Sequence, residues 1–403
     1  MPVGSPFHAR TAPLCESLSY REWAGFFAAS AYETHHEHEY HAIRNGCALI
    51  DISPLFKYLV TGRDAAALVD RVITRSASIL LPGQVIYTPW CDERGMIIDD
   101  GTVCRLDEQR FRWTAAEPNL RWLRQQSARL DVAIEDVSDP VAALSLQGPT
   151  SAALLREAAD ADIDGLRYFR ITRGSIAGVP VEISRTGYTG DLGYEIWVPH
   201  DGALAVWDAL VSKGRTCGLM PAGMLALDVA RIEAGLLLID IDFFSAKKAL
   251  TPSQFYTPFE MGIGRLIDFS KERFVGRKAL ITERDRKPER RIVGLTLHWK
   301  DIEAMYEAVQ LPPVASATAS RAAVPVYQRG RQIGRVTSST WSPVLKQMIA
   351  IATIDAAQAA PGSVVEVEHT VDAVRHRVGA TVTKMPFFNP PRKTAMPPMA
   401  LGR

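Results

Sequence analysis

A glycine-rich stretch between two strand-like runs constrains the fold of this chain more than any other segment. It contains Gly187, Gly190, Asp191 and Gly193 within a few residues. Alternating apolar residues over 179–183 precede it, and a second strand-like run over 194–198 follows. The pattern predicts a hairpin with a demanding turn, because glycine adopts backbone angles that other residues avoid.

Two polar side chains of this hairpin, Tyr188 and Glu195, are candidate ligand contacts. One carboxylate accepts two parallel N–H hydrogen bonds, so Glu195 suits a flat heterocycle with adjacent N–H donors, such as a pterin or a guanine-like ring. The plainer interpretation is a glycine-rich hairpin with a surface glutamate. On this stretch alone the plainer interpretation is favoured, since a single glycine-rich loop is weak evidence.

Composition excludes several classes of protein. The 403 residues allow two or three domains, and the net charge of +1 offers no general attraction to nucleic acid or to an anionic membrane. The 5 cysteines are scattered and odd in number, which argues against a disulfide framework or a structural zinc site. No apolar run reaches membrane-spanning length, and the N-terminus lacks a signal-peptide hydrophobic region. We therefore expect a cytoplasmic enzyme or binding protein.

Histidines are concentrated in a helix predicted over residues 33–45, which ends near Gly46. His38 and His41 are three residues apart and share one face of that helix. A cluster of Cys, Asp or Glu that would complete a metal site is not evident elsewhere in the sequence. We therefore predict no metal and interpret these histidines as an exposed polar face or as substrate-facing groups.

Strand and helix patterns alternate irregularly up to about residue 280, which predicts an α+β fold rather than a wound parallel fold. Asp64 is placed to cap a helix over 65–73. The charged, apolar-poor segment 281–291 is predicted to be a linker. The other predicted helices cover 150–158, 202–213 and 221–235. Beyond the linker, short strands separated by glycine turns predict a small β-barrel or sandwich.

A series of motifs, in order over almost the whole chain, resembles the aminomethyltransferase family, whose best-known member is the T-protein of the glycine cleavage system. No single motif is decisive, but their shared order and spacing make a strong signal. The motifs lie at residues 49–53 (LIDIS), 95–100 (GMIIDD), 146–149 (LQGP), 185–196 (RTGYTGDLGYEI), 231–235 (RIEAG), 274–280 (FVGRKAL), 334–338 (GRVTS) and 384–387 (KMPF).

The resemblance implies an α+β protein with three domains in a cloverleaf around a central hole that holds tetrahydrofolate. Residues 1–50 and 135–280 would form a discontinuous folate-binding α+β domain, residues 51–134 a second α+β domain, and residues 292–390 a C-terminal β-barrel domain. By the same resemblance, Glu195 holds the pterin, Tyr188 lines the site, and Asp100 lies near N10 of the folate.

The chemistry of one-carbon transfer fits a carboxylate at this position. The folate nitrogen must lose a proton and the donor heteroatom must gain one, so a carboxylate within hydrogen-bond reach supports the transfer. Asp99 and Asp100 are adjacent, so on a strand they face opposite sides and only one of them enters the pocket. We predict Asp100 as the catalytic residue. Arg231 and Glu233 are interpreted as a charge pair on a helix surface.

The chain departs from glycine cleavage T-proteins on the side that would bind the donor. Those proteins usually have Arg-Asp where this chain has Leu227-Asp228. Loss of the arginine makes this side more apolar and less suited to an anionic or amine-bearing arm. The candidate substrate-pocket residues are Phe27, Tyr32, His38, Phe56, Tyr58 and Leu227, although several of the aromatic residues are equally consistent with core packing.

We therefore predict a tetrahydrofolate-dependent demethylase that moves a methyl group from a small O-, N- or S-methylated compound to the folate. The first alternative is a glycine cleavage aminomethyltransferase, whose partner would be a lipoylated carrier protein. An alternative of another class is a folate-binding protein without transfer activity. Neither a nucleic acid nor a membrane is expected as a partner.

Overall fold

A computed structural model describes residues 1–316 and 318–398, which form two compact units. The first unit comprises Met1–Trp90, Asp99–Ala230 and the described residues from Asn389 onward. The second comprises Cys91–Ile98 and the described part of Arg231–Phe388. The three domain boundaries that the resemblance implies remain predictions.

The first unit contains a two-stranded sheet, β1-β2, and two larger, mainly antiparallel sheets with helices packed around them. Its strands are β1 (Tyr20–Trp23), β2 (Phe26–Ala29), β3 (Cys47–Asp51), β4 (Phe56–Thr61), β5 (Gln84–Cys91), β6 (Ile97–Asp107), β7 (Arg110–Ala115), β8 (Ala133–Asp136), β9 (Val141–Gln147), β10 (Ala159–Asp160), β11 (Ile171–Ile176), β12 (Val179–Ser184), β13 (Gly193–Pro199) and β14 (Leu219–Pro221). Its helices are α1 (His8–Thr11), α2 (Glu37–Asn45), α3 (Ala65–Val72), α4 (Leu120–Gln126), α5 (Ser151–Ala158), α6 (Ala203–Gly214) and α7 (Met224–Glu233), the last of which runs on into the second unit.

The order of strands places the glycine-rich hairpin in the middle of the larger sheet. That sheet has the order β10-β11-β12-β13-β9-β3-β14, and the smaller one has the order β5-β6-β7-β4-β8. β13 pairs with β12 on one side and β9 on the other, so Glu195 lies opposite Ser184 and Ser145. Buried apolar side chains of this sheet pack against α5 and α6. The loop between β12 and β13 is therefore supported by a rigid sheet.

The second unit contains a closed antiparallel barrel. Its strands are β15 (Arg290–Leu297), β16 (Val324–Gln328), β17 (Arg331–Ser342), β18 (Gln347–Asp355), β19 (Val364–Val371) and β20 (Val374–Thr383), and its helices are α8 (Arg277–Arg286) and α9 (Trp299–Ala308). The strands close in the order β15-β18-β17-β16-β19-β20 around an apolar core. The predicted α+β class and the predicted C-terminal β-barrel are both confirmed.

Several local predictions differ from the structure. The predicted helix over 33–45 begins only at Glu37, and the helix predicted over 221–235 begins at Met224 because residues 219–221 pair with β3 as β14. The carboxylate of Asp64 accepts the N–H of Asp131 rather than an N–H of α3. The last two differences reflect tertiary contacts, the pairing of β14 with β3 and the bond between Asp64 and Asp131, that local sequence does not encode.

The charged segment 281–291 is mostly helical, so the prediction of a linker there was wrong. It continues α8 to Arg286, with Leu280 buried beneath the helix and the charged side chains outside. The helix ends where Lys287 adopts a φ of 67°, just before Pro288. The α8 helix has few apolar residues, and Leu280 is the one that it buries.

Arg231 and Glu233 are buried, with exposed fractions of 1% and 0%, so their interpretation as a surface charge pair was also wrong. The guanidinium of Arg231 pairs with Asp242, and Ser342 donates a hydrogen bond to the carboxylate of Glu233. Burial of both charges is possible because each has a partner of complementary hydrogen-bonding character.

No helix within residues 1–316 and 318–398 is both long enough and apolar enough to cross a membrane.

Candidate active site

The glycine-rich loop between β12 and β13 is shaped around the amide of Gln147, a residue of β9. Its Nε2 donates to the carbonyl oxygen of Thr186 at 3.2 Å, and its Oε1 accepts from Oγ1 of Thr189 at 2.8 Å. A Cβ added at Gly187 or at Gly193 would lie 2.1 Å from Oε1 of Gln147. The two glycines are therefore needed so that the loop closes over this amide.

Glu195 projects from β13 beside this loop, half-buried. Oγ1 of Thr186 donates to its Oε2 at 2.5 Å, whereas its Oε1 accepts no hydrogen bond from any described residue. Burial raises the pKa of Glu195, and the Thr186 hydroxyl and the Arg112 guanidinium oppose that rise. The carboxylate is thus oriented by one protein donor and keeps one oxygen for another N–H or O–H donor.

Arg112 of β7 is a site residue that sequence reasoning missed. Its side chain is almost fully buried, it forms an ion pair with Glu182, and its guanidinium lies over the ring of Trp197 at 4.2 Å from the centroid. A cation in this place favours the ionised form of Glu195. The available signal was an arginine between Phe111 and Trp113 in a strand that is otherwise buried.

Asp100 of β6 receives a hydrogen bond from Tyr87 of β5. The Oη of Tyr87 donates to Oδ2 of Asp100 at 2.5 Å. Burial raises the pKa of Asp100 to about 6, and the hydrogen bond from Tyr87 counteracts part of that rise. The carboxyl therefore exchanges its proton within the physiological pH range, as a general acid or base does.

Tyr188 lies near the same pair. Burial is the main cause that raises the pKa of Tyr87, followed by the charge of Asp100, and Tyr188 contributes in the same direction. Asp100 thus bonds Tyr87, and Tyr188 acts on Tyr87 electrostatically; that Asp100 and Tyr188 form one site stays a prediction. Tyr87 itself was not predicted as a site residue, because no sequence signal separates it from the other tyrosines on strands.

Asp99 faces the opposite side of β6 and is fully buried. Its Oδ2 accepts hydrogen bonds from Nδ2 of Asn119 at 2.9 Å and from the backbone N–H of Glu117 at 3.1 Å. Burial, followed by the charge of Asp100, raises its pKa well above the ordinary value. Asp99 thus organises the segment after β7, whereas Asp100 contacts Tyr87.

The candidate donor-side residues near the N-terminus lie in three different environments. Phe27 is 38% exposed and stacks on His8 with ring centroids 5.8 Å apart. Tyr32 is buried, and its pKa is raised mainly by burial and then by the charge of Asp51. The side chain of His38 is 76% exposed and lies 2.8 Å from a carboxylate oxygen of Glu33.

The other three candidates belong to β4 and α7. Phe56 is half-buried opposite Ala115, and Tyr58 is fully buried, with its hydroxyl accepting the N–H of Asn119 at 2.8 Å. Leu227 is 7% exposed on α7. The grouping of all six residues into one substrate pocket stays a prediction.

Across the described ranges, no group of three or more His, Cys, Asp or Glu side chains is placed to hold a metal ion. The chemistry available at the site described above is that of carboxylates, phenols and a guanidinium.

Comparison with known proteins identifies two matching family domains. Residues 8–271 match the GCVT N-terminal domain, and residues 307–389 match the glycine cleavage T-protein C-terminal barrel domain. The second match covers barrel strands β16 to β20, and the first covers the sheet that carries the glycine-rich hairpin.

Curated relatives extend the match over most of the chain. An aminomethyltransferase of Streptomyces coelicolor is 36% identical over 350 residues, which cover 85% of this chain and 87% of the relative. A trimethylamine-oxide aldolase of Ruegeria pomeroyi is 36% identical over 398 residues, which cover 95% of this chain but only 47% of that longer protein.

The crystal structure of glycine cleavage system aminomethyltransferase T from Bartonella henselae shares the fold. It superposes with a TM-score of 0.80 over 96% of this chain and 99% of that structure, at 23% sequence identity. The matched domains, the relatives and the shared fold agree with one another. The chain therefore belongs to the aminomethyltransferase family of enzymes, which includes the glycine cleavage T-proteins.

Proposed function

We propose that this protein is a tetrahydrofolate-dependent one-carbon transferase that uses Asp100 as its proton-transferring group. The observation that carries the proposal is the hydrogen bond between Tyr87 and Asp100, together with a pKa of about 6 for that carboxyl. A carboxyl with this pKa accepts and releases a proton near neutral pH, which the reaction requires at the folate nitrogen and at the donor heteroatom.

The residues of the glycine-rich hairpin fit a pterin. A pterin presents adjacent N–H donors, and the half-buried Glu195 carboxylate has one oxygen oriented by Thr186 and one that accepts no hydrogen bond from the described residues. Tyr188 supplies an aromatic face near Tyr87 and Asp100. When bound, tetrahydrofolate supplies the nitrogen that accepts the one-carbon unit.

The nature of the donor separates two versions of the proposal. The names of the relatives and the matched T-protein domains support an aminomethyltransferase better than they support the demethylase predicted from the sequence. We therefore favour aminomethyl transfer. In that version the partner is a lipoylated carrier protein, the carbon–sulfur bond to its aminomethyl group breaks, and the products are methylene-tetrahydrofolate, ammonia and the carrier with its lipoyl arm as the dithiol.

One observation keeps the demethylase as a second candidate. Leu227 is buried on α7 where glycine cleavage T-proteins usually have arginine, which leaves an apolar side chain in place of a cation. One of the relatives is named trimethylamine-oxide aldolase, after a methylated amine oxide. A small methylated compound is the donor in this version.

The experiment is a donor panel with purified protein and tetrahydrofolate, analysed by mass spectrometry of the folate products. Methylene-tetrahydrofolate from an aminomethyl-lipoyl carrier supports the favoured version. Methyl-tetrahydrofolate from methyl ethers, methylamines or methyl sulfides supports the demethylase. Folate binding without turnover on every donor supports a binding protein and contradicts the proposed transfer.

The pterin contact is tested by Glu195→Gln, which keeps the shape and removes the charge. Hydrogen bonds to charged groups contribute on the order of 1.5–3 kcal/mol, so tetrahydrofolate affinity should fall roughly tenfold or more. Isothermal titration calorimetry measures the change. Glu366→Gln, on barrel strand β19, is the matched control and should bind like the parent. Unchanged affinity in Glu195→Gln would sink the pterin assignment.

A further inference from the structure

We propose that the segment 391–396, called here the C-terminal strap, positions the glycine-rich loop for folate binding, with Arg392 as the principal positioning residue. The inference rests on the proposed function, because it assigns the loop that carries Tyr188 to the pterin. The strap and the loop both belong to the first unit. The strap contacts the loop at its beginning and at its end.

The contact at the end of the loop is a two-pronged ion pair. Nε of Arg392 donates to Oδ1 of Asp191 at 2.6 Å, and a terminal nitrogen of the same guanidinium donates to Oδ2 at 2.9 Å. The Asp191 side chain is fully buried, whereas that of Arg392 is 40% exposed. Bidentate arginine–carboxylate pairs fix geometry as well as charge, so Arg392 holds Asp191 in one orientation.

Asp191 passes this constraint to its own loop. Its Oδ1 accepts the backbone N–H of Leu192 at 2.8 Å, and the guanidinium of Arg44 donates both to its Oδ2 at 3.3 Å and to the carbonyl oxygen of Thr189 at 2.9 Å. Arg392 also donates to the carbonyl oxygen of Arg44 at 3.1 Å. The two arginines and one carboxylate therefore form a closed set of contacts beneath residues 189–192.

The contact at the beginning of the loop is made by a buried cation. Arg185 is fully buried, and its guanidinium donates to the carbonyl oxygens of Arg392, Lys393 and Ala395 in the strap. It also donates to the carbonyl oxygen of Leu166 at 3.3 Å. The strap thus provides carbonyl acceptors for the Arg185 guanidinium, whose burial without hydrogen-bond partners would be costly.

Tyr188 lies between these two anchored positions. The loop contains glycines with wide conformational freedom, including Gly190 at a φ of 72°, so its shape depends on external contacts. Loss of the Arg392–Asp191 pair should remove the strap's share of the contact at the end of the loop, whereas the contacts made by Arg44 and Arg185 stay in place. The pair is therefore a positioning contact, and its loss should weaken folate binding without slowing the chemical step.

The test compares Arg392→Gln, Arg392→Lys and a matched control. Arg10→Gln removes another bidentate pair of the first unit, in which the Arg10 guanidinium donates to Asp208 at 2.8 and 2.9 Å. Hydrogen exchange of the amides over 186–192 is measured by mass spectrometry without folate. Steady-state kinetics then give KM for tetrahydrofolate and kcat.

For Arg392→Gln we expect about tenfold faster exchange in the loop and about a tenfold higher KM, with kcat within about twofold of the parent. Arg392→Lys should recover part of the effect, because lysine keeps the charge but cannot bind bidentately. Arg10→Gln should change none of these quantities. Parent-like exchange in Arg392→Gln, or a lower kcat at unchanged KM, would overturn the inference.

The design separates this inference from the proposed function. If Glu195→Gln weakens folate binding and Arg392→Gln does not, the pterin site stands and the strap inference is wrong. If the parent binds no tetrahydrofolate, the proposed function and the folate-positioning role are both wrong. The exchange rates would then report only whether the strap orders the loop.

Discussion

Tyr87→Phe changes one hydrogen bond to the carboxyl on which the proposed mechanism depends. The Tyr87 hydroxyl donates to Asp100 at 2.5 Å and lowers a pKa that burial raises, the balance being about 6. Phenylalanine keeps the ring and removes the donor. The variant should therefore raise the pKa of Asp100 further, because the ionised form loses its hydrogen bond and burial is unopposed.

The size of the effect follows from the strength of that bond. A hydrogen bond to a charged group contributes about 1.5–3 kcal/mol, which corresponds to about 1–2 pKa units at 1.36 kcal/mol per unit. The pKa of Asp100 should move from about 6 to about 7–8. At pH 7 the ionised fraction would fall from about 90% to between about 50% and 10%.

The assay is kcat/KM for folate turnover between about pH 5 and 9. Where the carboxylate form is required, activity falls as the pH falls through the pKa of Asp100, so the acidic limb should move upward by about 1–2 units in Tyr87→Phe. Tyr327→Phe is the control, since its hydroxyl lies 3.5 Å from a carboxylate oxygen of Glu368 in the barrel. An acidic limb that stays in place or moves downward would refute the reasoning.

Two further predictions concern buried charges. Arg231→Ala leaves Asp242 buried without its cation and should lower the free energy of unfolding by about 3–5 kcal/mol. Arg331→Ala removes a more exposed ion pair and should lower the free energy of unfolding by less than about 1 kcal/mol. Denaturant unfolding measures both changes, and equal losses would contradict the role given to burial. Burial lowers the pKa of Lys57 to about 8, so between about pH 8 and 10 this lysine binds more protons in the unfolded chain than in the folded one. The free energy of unfolding that Lys57 contributes should therefore rise with pH over this range. Denaturant unfolding at several pH values should show that Lys57→Met lacks this rise, and the same rise in the variant would contradict the prediction.

The hairpin, the barrel and the class of the fold were predictable because each depends on a local pattern. Alternating apolar residues and glycines at 179–198 specify two strands and a turn, and the same signals recur through the barrel. The carboxylates at 100 and 195 could be singled out because they belong to ordered motifs, and their roles stay predictions. Their neighbours were not, since Tyr87 meets Asp100 only through the register of β5 and β6, and Arg112 meets Glu182 across 70 residues of chain.

Burial of charge was the quantity least visible in the sequence. Both α8 and the end of α7 carry charged side chains. Those of α8 are mostly exposed, whereas Arg231 of α7 is buried against Asp242. The difference arises because Arg231, itself a residue of the second unit, bonds the carboxylate of Asp242 and the hydroxyl of Ser338 in that unit. Asp242 lies 11 residues and Ser338 lies 107 residues from Arg231, beyond the three- and four-residue spacing of helical pairs, so helical charge spacing alone favours a surface position.

The most direct test of the central claim is the ratio of folate turnover between Asp100→Asn and Asp99→Asn. Because the folded-state pKa of Asp100 is raised, its ionised form costs stability at neutral pH, and thermal melts should show Asp100→Asn at least as stable as the parent. Its turnover should nevertheless fall by roughly 10²–10⁴-fold. Asp99→Asn should keep most of the turnover, because Asp99 bonds the segment that follows β7. Loss of turnover in Asp99→Asn alone, or in neither variant, would contradict the assignment of proton transfer to Asp100.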